Sequence, residues 1–414
     1  MRQQIKANLH TPRELEKLYR SNKPQFKREF TALYPELNGD PAADVWHERL
    51  NFESEDINWG TSAELMFVLV GSMLAGTIAK LPAYINIDEE FFYSRNIGFV
   101  IFPVLSAYFA WRNKLSISKI AIVTGATLAG LLFINFLPDD KTSDTLVLSC
   151  MHMVLFLWSV LGFVFIGGTS NVSGKRLGYL KYNGDLVVMT TLILIAGAIL
   201  SGITVGLFSL IGLRIEEFYF KYVVVFGLAA APIIGTYLTQ TNPTLVGKVS
   251  PVIAKLFSPL VLVMLVIYLG AIFYSGKDPY NDRDFLMIFN ALLIGVMAII
   301  FFSVAENSKT TKSQTTTWIL FLLSLVTIIV NGVALSAILF RIAEWGITPN
   351  RAAVLGANIL ILINLALVTT QLFKVATNKA ELSVVGKTIA SYLPIYFIWT
   401  IIVTFIFPFL FGFK

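Results

Sequence analysis

A single cysteine, Cys150, and three scattered histidines, His10, His47 and His152, are all the thiol and imidazole chemistry in 414 residues. One cysteine permits no disulfide, and no CxxC or HExxH spacing exists to hold a metal. Charge is scarce as well: Asp, Glu, Lys and Arg make up 14% of the chain, against about a quarter in soluble domains. That is too little polar side chain to coat a globule in water. The shortage excludes a soluble enzyme, a nucleic-acid-binding domain, a disordered chain and a disulfide scaffold. The net charge of +6 therefore belongs to basic loops beside a membrane, and no nucleic-acid partner is expected.

What is abundant is apolar surface. Hydrophobic residues are 56% of the sequence, and the mean hydropathy is +0.70. Two regions follow: a polar stretch over 1–60 and a transmembrane helical bundle over 61–414. The polar start predicts no cleavable signal peptide and a first apolar helix retained as signal-anchor. Within it, TPRELEKLYR reads as a helix start, with Thr11 as cap, Pro12 in the first turn and Glu14 closing a capping box. A second helix is expected from about Lys23 to Leu33, with Phe26, Phe30 and Leu33 on its apolar side, and a third after a cap at Asp40. Residues 1–30 hold eight Lys/Arg against three acids, and residues 31–60 hold one against seven. Such halves can pair with each other, or the basic half can touch anionic lipid. Aromatic residues on amphipathic helices, Trp46, Phe26 and Phe30, also suit a cytoplasmic protein partner.

Beyond Gly60 the sequence reads as eleven apolar segments, near 62–81, 96–111, 118–137, 145–168, 184–212, 217–238, 256–275, 284–304, 317–341, 351–373 and 389–411. They are continuous, without the alternation of membrane strands, so the expected class is an all-α polytopic bundle of about 11 transmembrane helices. If the first 60 residues lie inside, the inner loops and that stretch carry 22 of the 32 Lys/Arg. The positive-inside rule then places the N-terminus in the cytoplasm and the C-terminus across the membrane.

No ionisable residue is read at a mid-span position. Glu64, Lys80, Asp185, Glu306, Arg341 and Arg351 all fall near segment ends, where they can snorkel. Proton-coupled carriers generally rely on a carboxylate inside the bilayer, so a neutral or amphipathic solute is the expected cargo. The mid-span polar groups are Asn331 and Asn364, with Asn135, Asn290, Asn358 and His152 further toward the outer face. Amides in lipid serve as glue between helices or as ligands to a substrate. Small residues at Ala198, Gly202 and Gly206, and again at Gly227 and Ala231, predict close helix packing.

The densest polar island between spans is RIAEWGITPNR, from Arg341 to Arg351. Arg341 and Glu344 share a helix face, Trp345 suits the interfacial belt, and Gly346 can end one helix before Thr348 and Pro349 start the next. Arg341, Glu344, Asn350 and Arg351 are candidates for gripping a phosphate or carboxylate. LFSLIGLRIEE echoes ALSAILFRIAE, adding Arg214 and Glu217 as a second candidate corner. KDPYNDRDF offers Asp278, Asp282 and Asp284 as weak calcium-type ligands, without the glycine and distal glutamate of an EF-hand. No other metal set, no cofactor motif and no catalytic dyad is present. GTSNVSGKR is one residue too long for a phosphate loop and lacks its final hydroxyl.

The RIAEWGITPNR corner, the NGDLVVMTTLILI helix start, the KDPYNDRDF loop and the ELEKLYR…LYPEL stretch together resemble the multi-pass bacterial membrane proteins of domain-of-unknown-function family 4153 (DUF4153), in their Bacteroidota form. The resemblance implies a Gram-negative inner membrane with the outer loops in the periplasm, and it supplies no catalytic residues. Three functions fit the whole reading: a permease-like transporter, a scaffold or sensor acting through residues 1–60, and an enzyme acting on lipid or polyprenyl carriers at the outer side.

Overall fold

Thr61 and Glu64 start the first long apolar helix with a reciprocal cap. The Thr61 hydroxyl accepts from the Glu64 amide, while the Glu64 carboxylate accepts from the Thr61 amide, so two donors of the helix start are satisfied. This computed structural model describes residues 1–37, 39–51, 59–167, 172–210, 213–243, 256–267, 269–270, 283–307 and 314–414. It divides into two units, Met1–Asn58 and Trp59–Lys414.

The first unit has four described helices: α1 (Arg2–Ala7), α2 (Pro12–Ser21), α3 (Lys23–Leu37) and α4 (Pro41–Asn51). The first of these had no apolar periodicity to reveal it. Pro12 opens α2 as expected, but the Thr11 side chain makes no capping bond. Asp40 does cap α4, accepting from the Ala42 amide at 2.8 Å. Ile5, Leu15, Phe26, Phe30 and Leu33 are wholly buried, and Trp46 packs among Tyr19 and Phe26. The aromatic groups that suggested a docking face thus form the unit's own core. The two charged halves also pair: Arg2 and Lys6 reach Glu36, His10 reaches Asp40 and Arg49 reaches Glu16.

The regular structure of the second unit is all helical among its described residues. Its elements are α5 (Ser62–Ala79), α6 (Leu81–Ile85), α7 (Glu89–Arg112), α8 (Ile117–Phe136), α9 (Asp144–Ile166), α10 (Val172–Leu210), α11 (Glu216–Thr241), α12 (Leu256–Ile267), α13 (Arg283–Asn307), α14 (Gln314–Trp345), α15 (Pro349–Ala376) and α16 (Leu382–Leu410). Among the described residues, nine of these are long and apolar enough to cross a membrane. The chain is therefore an all-helical, multi-span protein of membrane type.

Two helices account for the difference from eleven. The second apolar segment is the 24-residue α7, which carries Glu89, Glu90, Arg95 and Arg112 and is correspondingly less apolar. The seventh is represented by α12 and residues 269–270, and the rest of it, like Asp278 and Asp282, falls outside the described residues. Helix α10 starts well before the predicted segment, because Lys175 to Asp185 continue the helix as a polar extension.

One core joins α5, α7, α9, α11 and the start of α10 through Val104, Phe109, Leu161, Tyr182 and Ile233. A second joins α12 to α16 through Phe289, Ile300, Leu323, Leu365 and Ile389. Its centre is the α14–α15 hairpin. Buried residues on α14 fall at Thr317, Leu320, Ser324, Thr327, Asn331, Ala334 and Ile338, alternating three and four apart. On α15 they fall at Asn358, Ile361, Leu365, Val368, Leu372 and Val375, with the same alternation. Such spacing is that of a coiled-coil seam, widened here by Leu323, Val330 and Ala337 on α14 and by Asn364 and Thr369 on α15, which are also buried.

The end of the chain is tied to α9. Ser143 donates to the Phe413 carbonyl, the Thr145 amide donates to Lys414, and Ser149 donates to Thr404 at 2.9 Å. Thr404 lies in the π turn Ile402–Ile406, whose widened hydrogen bonding makes a carbonyl available to a neighbouring helix. The expected Gly202–Gly206 seam behaves differently: a side chain at Gly197, Gly202 or Gly206 would meet nothing within 4 Å. The close crossings lie elsewhere, at Gly356 against Trp399 and at Gly184 against Phe302.

Candidate functional site

A concavity lies between the first turns of α7, the α8–α9 loop and the first half of α9. Each wall has a local cause. Asp88 caps α7 by accepting from the Phe91 amide at 2.8 Å, and Glu89 and Glu90 follow in the first turn, where the helix dipole favours acids. Helix α8 ends because Leu137 precedes Pro138 and takes an extended ψ of 142°. In the loop that follows, the Thr142 amide and hydroxyl both donate to Asp140. Those two bonds hold the Asp140 carboxyl below its ordinary pKa. The turn delivers Lys141 to Glu90, Nζ to Oε2 at 2.5 Å, and that bond raises the lysine's pKa. Ser143 then caps α9 through the Leu146 amide.

Behind this wall stands Arg95. Its side chain is 1% exposed, yet every contact recorded for it is favourable. Nη1 donates to the carbonyls of Ile134 at 2.5 Å and Leu137 at 3.2 Å, while Nη2 donates to Pro138 at 3.3 Å and to Asp139 Oδ1 at 3.1 Å. Its guanidinium also lies 4.4 Å from the Phe91 ring centroid. A guanidinium at a helix C-terminus satisfies carbonyls that would otherwise lack donors and suits the dipole. The next residue, Asn96, exchanges two side-chain hydrogen bonds with Asn135, at 2.9 and 2.8 Å. Arg95 and Asn96 together clamp α7 to the end of α8.

The resulting groove holds about 420 Å³. Its rim carries Glu90, Asp139 and Lys141, and its walls are Ile97, Leu146, Val147, Met151 and Val154, with Cys150 among them. Val147 and Met151 are more than half-exposed or nearly so, at 50% and 64%. Apolar walls below a charged rim match the chemistry of an amphipathic molecule; they offer no nucleophile–base pair, and no group of three metal-ligating side chains exists among the described residues.

The residues singled out from sequence occupy other places. Arg351 donates to the carbonyls of Trp345 and Gly346 at 2.9 and 2.7 Å, which caps the end of α14. Gly346 has φ +76°, and Thr348 caps α15 through the Arg351 amide, both as read from the turn signals. Arg341 and Arg351 converge on the Trp345 ring, 5.5 and 5.7 Å from its centroid. Glu344 is exposed beside them and Asn350 is half-buried. Arg214 is exposed in the α10–α11 turn, and Glu217 is exposed in the first turn of α11. Arg341 is inside a helix and Arg214 is outside one, so the sequence echo does not produce two corners of the same form. Asp284 lies in the first turn of α13.

Asn331 and Asn364 are fully buried and bridge helices. Asn331 donates to the Asn358 carbonyl at 3.3 Å, and Asn364 donates to the Tyr396 hydroxyl at 3.0 Å. Ser324 and Thr369 add a hydroxyl pair at 3.0 Å across the same hairpin. Lys181 of α10 pairs with Glu306 of α13 at 2.8 Å, the glutamate side chain being 3% exposed. Sequence position had made Glu306 a snorkelling end residue; the crossing at Gly184 buries it instead.

Arg95, Glu90, Asp139 and Lys141 were not singled out as site residues from sequence. The available signal was an arginine beside a short apolar segment whose neighbour ends in Leu-Pro. No family model matches this chain, and neither the curated proteins nor the solved structures contain a match to it.

Proposed function

We propose that this chain is a permease-like transporter that takes an amphipathic molecule from the lipid at the α7–α9 groove. The observation that carries the reading is the groove itself: an apolar trough at the side of the bundle, headed by an ion pair whose partners are 66% and 69% exposed. Exposed pairs contribute little net stability, so a ligand headgroup can replace either partner at small cost. An apolar chain gains from the walls at roughly 25 cal/mol per Å² of surface removed from water.

Our threading has eleven crossings, adding α7 and α12 to the nine most apolar helices. A 24-residue helix is about 36 Å long, enough to span, and the end of α8 satisfies the one arginine buried in it. An odd number of crossings sets the termini on opposite sides, and the lysine and arginine distribution favours a cytoplasmic N-terminus. The likeness to DUF4153 favours the bacterial inner membrane, with the groove at the periplasmic side.

A scaffold or sensor role is the second reading, favoured by the closed core of residues 1–58. A partner would then meet its charged surface, because the aromatic residues are spent inside. For the corner at Arg341, Glu344, Asn350 and Arg351, anion capture competes with the carbonyls that Arg351 already serves.

Cys150 tests the main reading without any substitution. In the full-length protein held in amphipol, a lysophospholipid should slow alkylation of this sole thiol in a saturable way, and proteoliposomes should move a fluorescent short-chain lipid faster than empty vesicles. Unchanged alkylation at saturating lysophospholipid sinks the reading. A membrane-impermeant maleimide added to intact cells tests the threading, since it should reach Cys150 from outside.

A further inference from the structure

We propose that the groove selects a phospholipid whose zwitterionic headgroup ends in a primary ammonium, as phosphoethanolamine does. The inference rests on the groove being the binding site and goes beyond it by naming the headgroup. It follows from how charge is distributed at the rim. Two carboxylates face the opening, Glu90 and Asp139, against one amine, Lys141. The second cation nearby, Arg95, is 1% exposed and committed to three carbonyls and one oxygen of Asp139. The rim is therefore balanced, Asp139 by Arg95 and Glu90 by Lys141, and an anionic headgroup that took Lys141 would leave Glu90 without its partner.

A purely cationic amphiphile fails for the complementary reason. It would displace Lys141 from Glu90 and offer the released lysine no new acceptor, so one charge-assisted bond is gained only as another is lost. A zwitterion exchanges partners cleanly. Its ammonium takes the place of Lys141 Nζ on Glu90, with Asp139 close by on the same rim, and its phosphate accepts from the released lysine. Every charge stays paired, and the acyl chain lies along Ile97, Val147, Met151 and Val154. A primary ammonium donates hydrogen bonds to carboxylates, whereas a trimethylated one has none to give. The groove's volume of about 420 Å³ suits a headgroup and the start of a chain rather than a whole diacyl lipid.

The experiment measures protection of Cys150 from a small maleimide in the full-length protein in amphipol, titrated separately with dioctanoyl-phosphatidylethanolamine, -phosphatidylcholine and -phosphatidylglycerol. Phosphatidylethanolamine should protect at about tenfold lower concentration than the other two, the value of one charge-assisted hydrogen-bond set. Glu90→Gln should erase that preference, and Lys141→Gln should weaken phosphatidylethanolamine protection while thermal stability of both variants holds, because both side chains are exposed. Protection by phosphatidylcholine or phosphatidylglycerol equal to or better than phosphatidylethanolamine overturns the headgroup assignment and leaves the groove reading standing. Absence of protection by all three overturns both.

Discussion

Removing the guanidinium of Arg95 should loosen the bundle at one defined joint. In Arg95→Met the apolar stem is kept, and the donors to Ile134, Leu137 and Pro138 are lost. Pro138 is exposed and can turn to water, whereas Ile134 and Leu137 are 0% and 8% exposed. Two buried carbonyls without donors cost about 1–2 kcal/mol each, so the expected loss is about 2–4 kcal/mol. For a unit of this size, that lowers the melting temperature by roughly 3–6 °C, read by size-exclusion of heated detergent-solubilised protein. Asp139→Asn is the control, since its carboxylate is 57% exposed and its ion pair is expected to add little. Arg95→Lys should fall between them, because an ammonium cannot span several carbonyls as a planar fork does. A melting temperature for Arg95→Met within about 1 °C of the parent would refute the capping argument, because two dry carbonyls cannot lose their donors without a measurable change.

Three further outcomes can be checked. Gly356→Ala should destabilise by about 1–3 kcal/mol, because its new methyl group would stand 2.0 Å from the Trp399 ring, whereas Gly202→Ala should melt like the parent. For the buried ion pair, Lys181→Met should be more damaging than Glu306→Gln, by about 1–2 kcal/mol, since the lysine is 34% exposed and the glutamate 3%; equal losses in thermal melts would show that burial is symmetric. In the first unit, Tyr34 donates to Asp44 at 2.9 Å, and that bond raises the phenol's pKa. A raised folded pKa stabilises the folded form while the phenol is protonated, and this contribution is lost as pH climbs through the raised value. With the intrinsic base catalysis of exchange divided out, amide protection in α3 and α4 should therefore fall in alkali for the parent and hold for Tyr34→Phe.

The long apolar runs were legible because twenty consecutive carbon-rich side chains admit few structures in lipid, and their ends agree closely for α5, α8 and α9. Polar helix is harder to see. Lys175 to Asp185 carry no strong apolar period, so nothing in the sequence marks the start of α10. Thr11 and Thr61 show the limit of short motifs: both precede a glutamate by three residues, and only Thr61 closes the reciprocal cap. The signals at Gly346, Thr348 and Pro349 held because each constrains one backbone angle or one bond locally. Arg95 was hidden for the opposite reason. Its partners lie about forty positions later in the chain, and nothing near it in sequence announces a helix end waiting for a donor. Gly202 and Gly356 likewise look alike on paper, since what distinguishes them is a tryptophan on another helix.

The three-residue corner between α14 and α15 and the regular interlocking below it have a mechanical consequence. Two rods fastened along their whole length cannot slide or splay separately without unmeshing layer after layer, so they travel as a single beam. A movement of this hairpin against α16 would then be absorbed where the meshing stops, in the short stretch from Thr377 to Glu381.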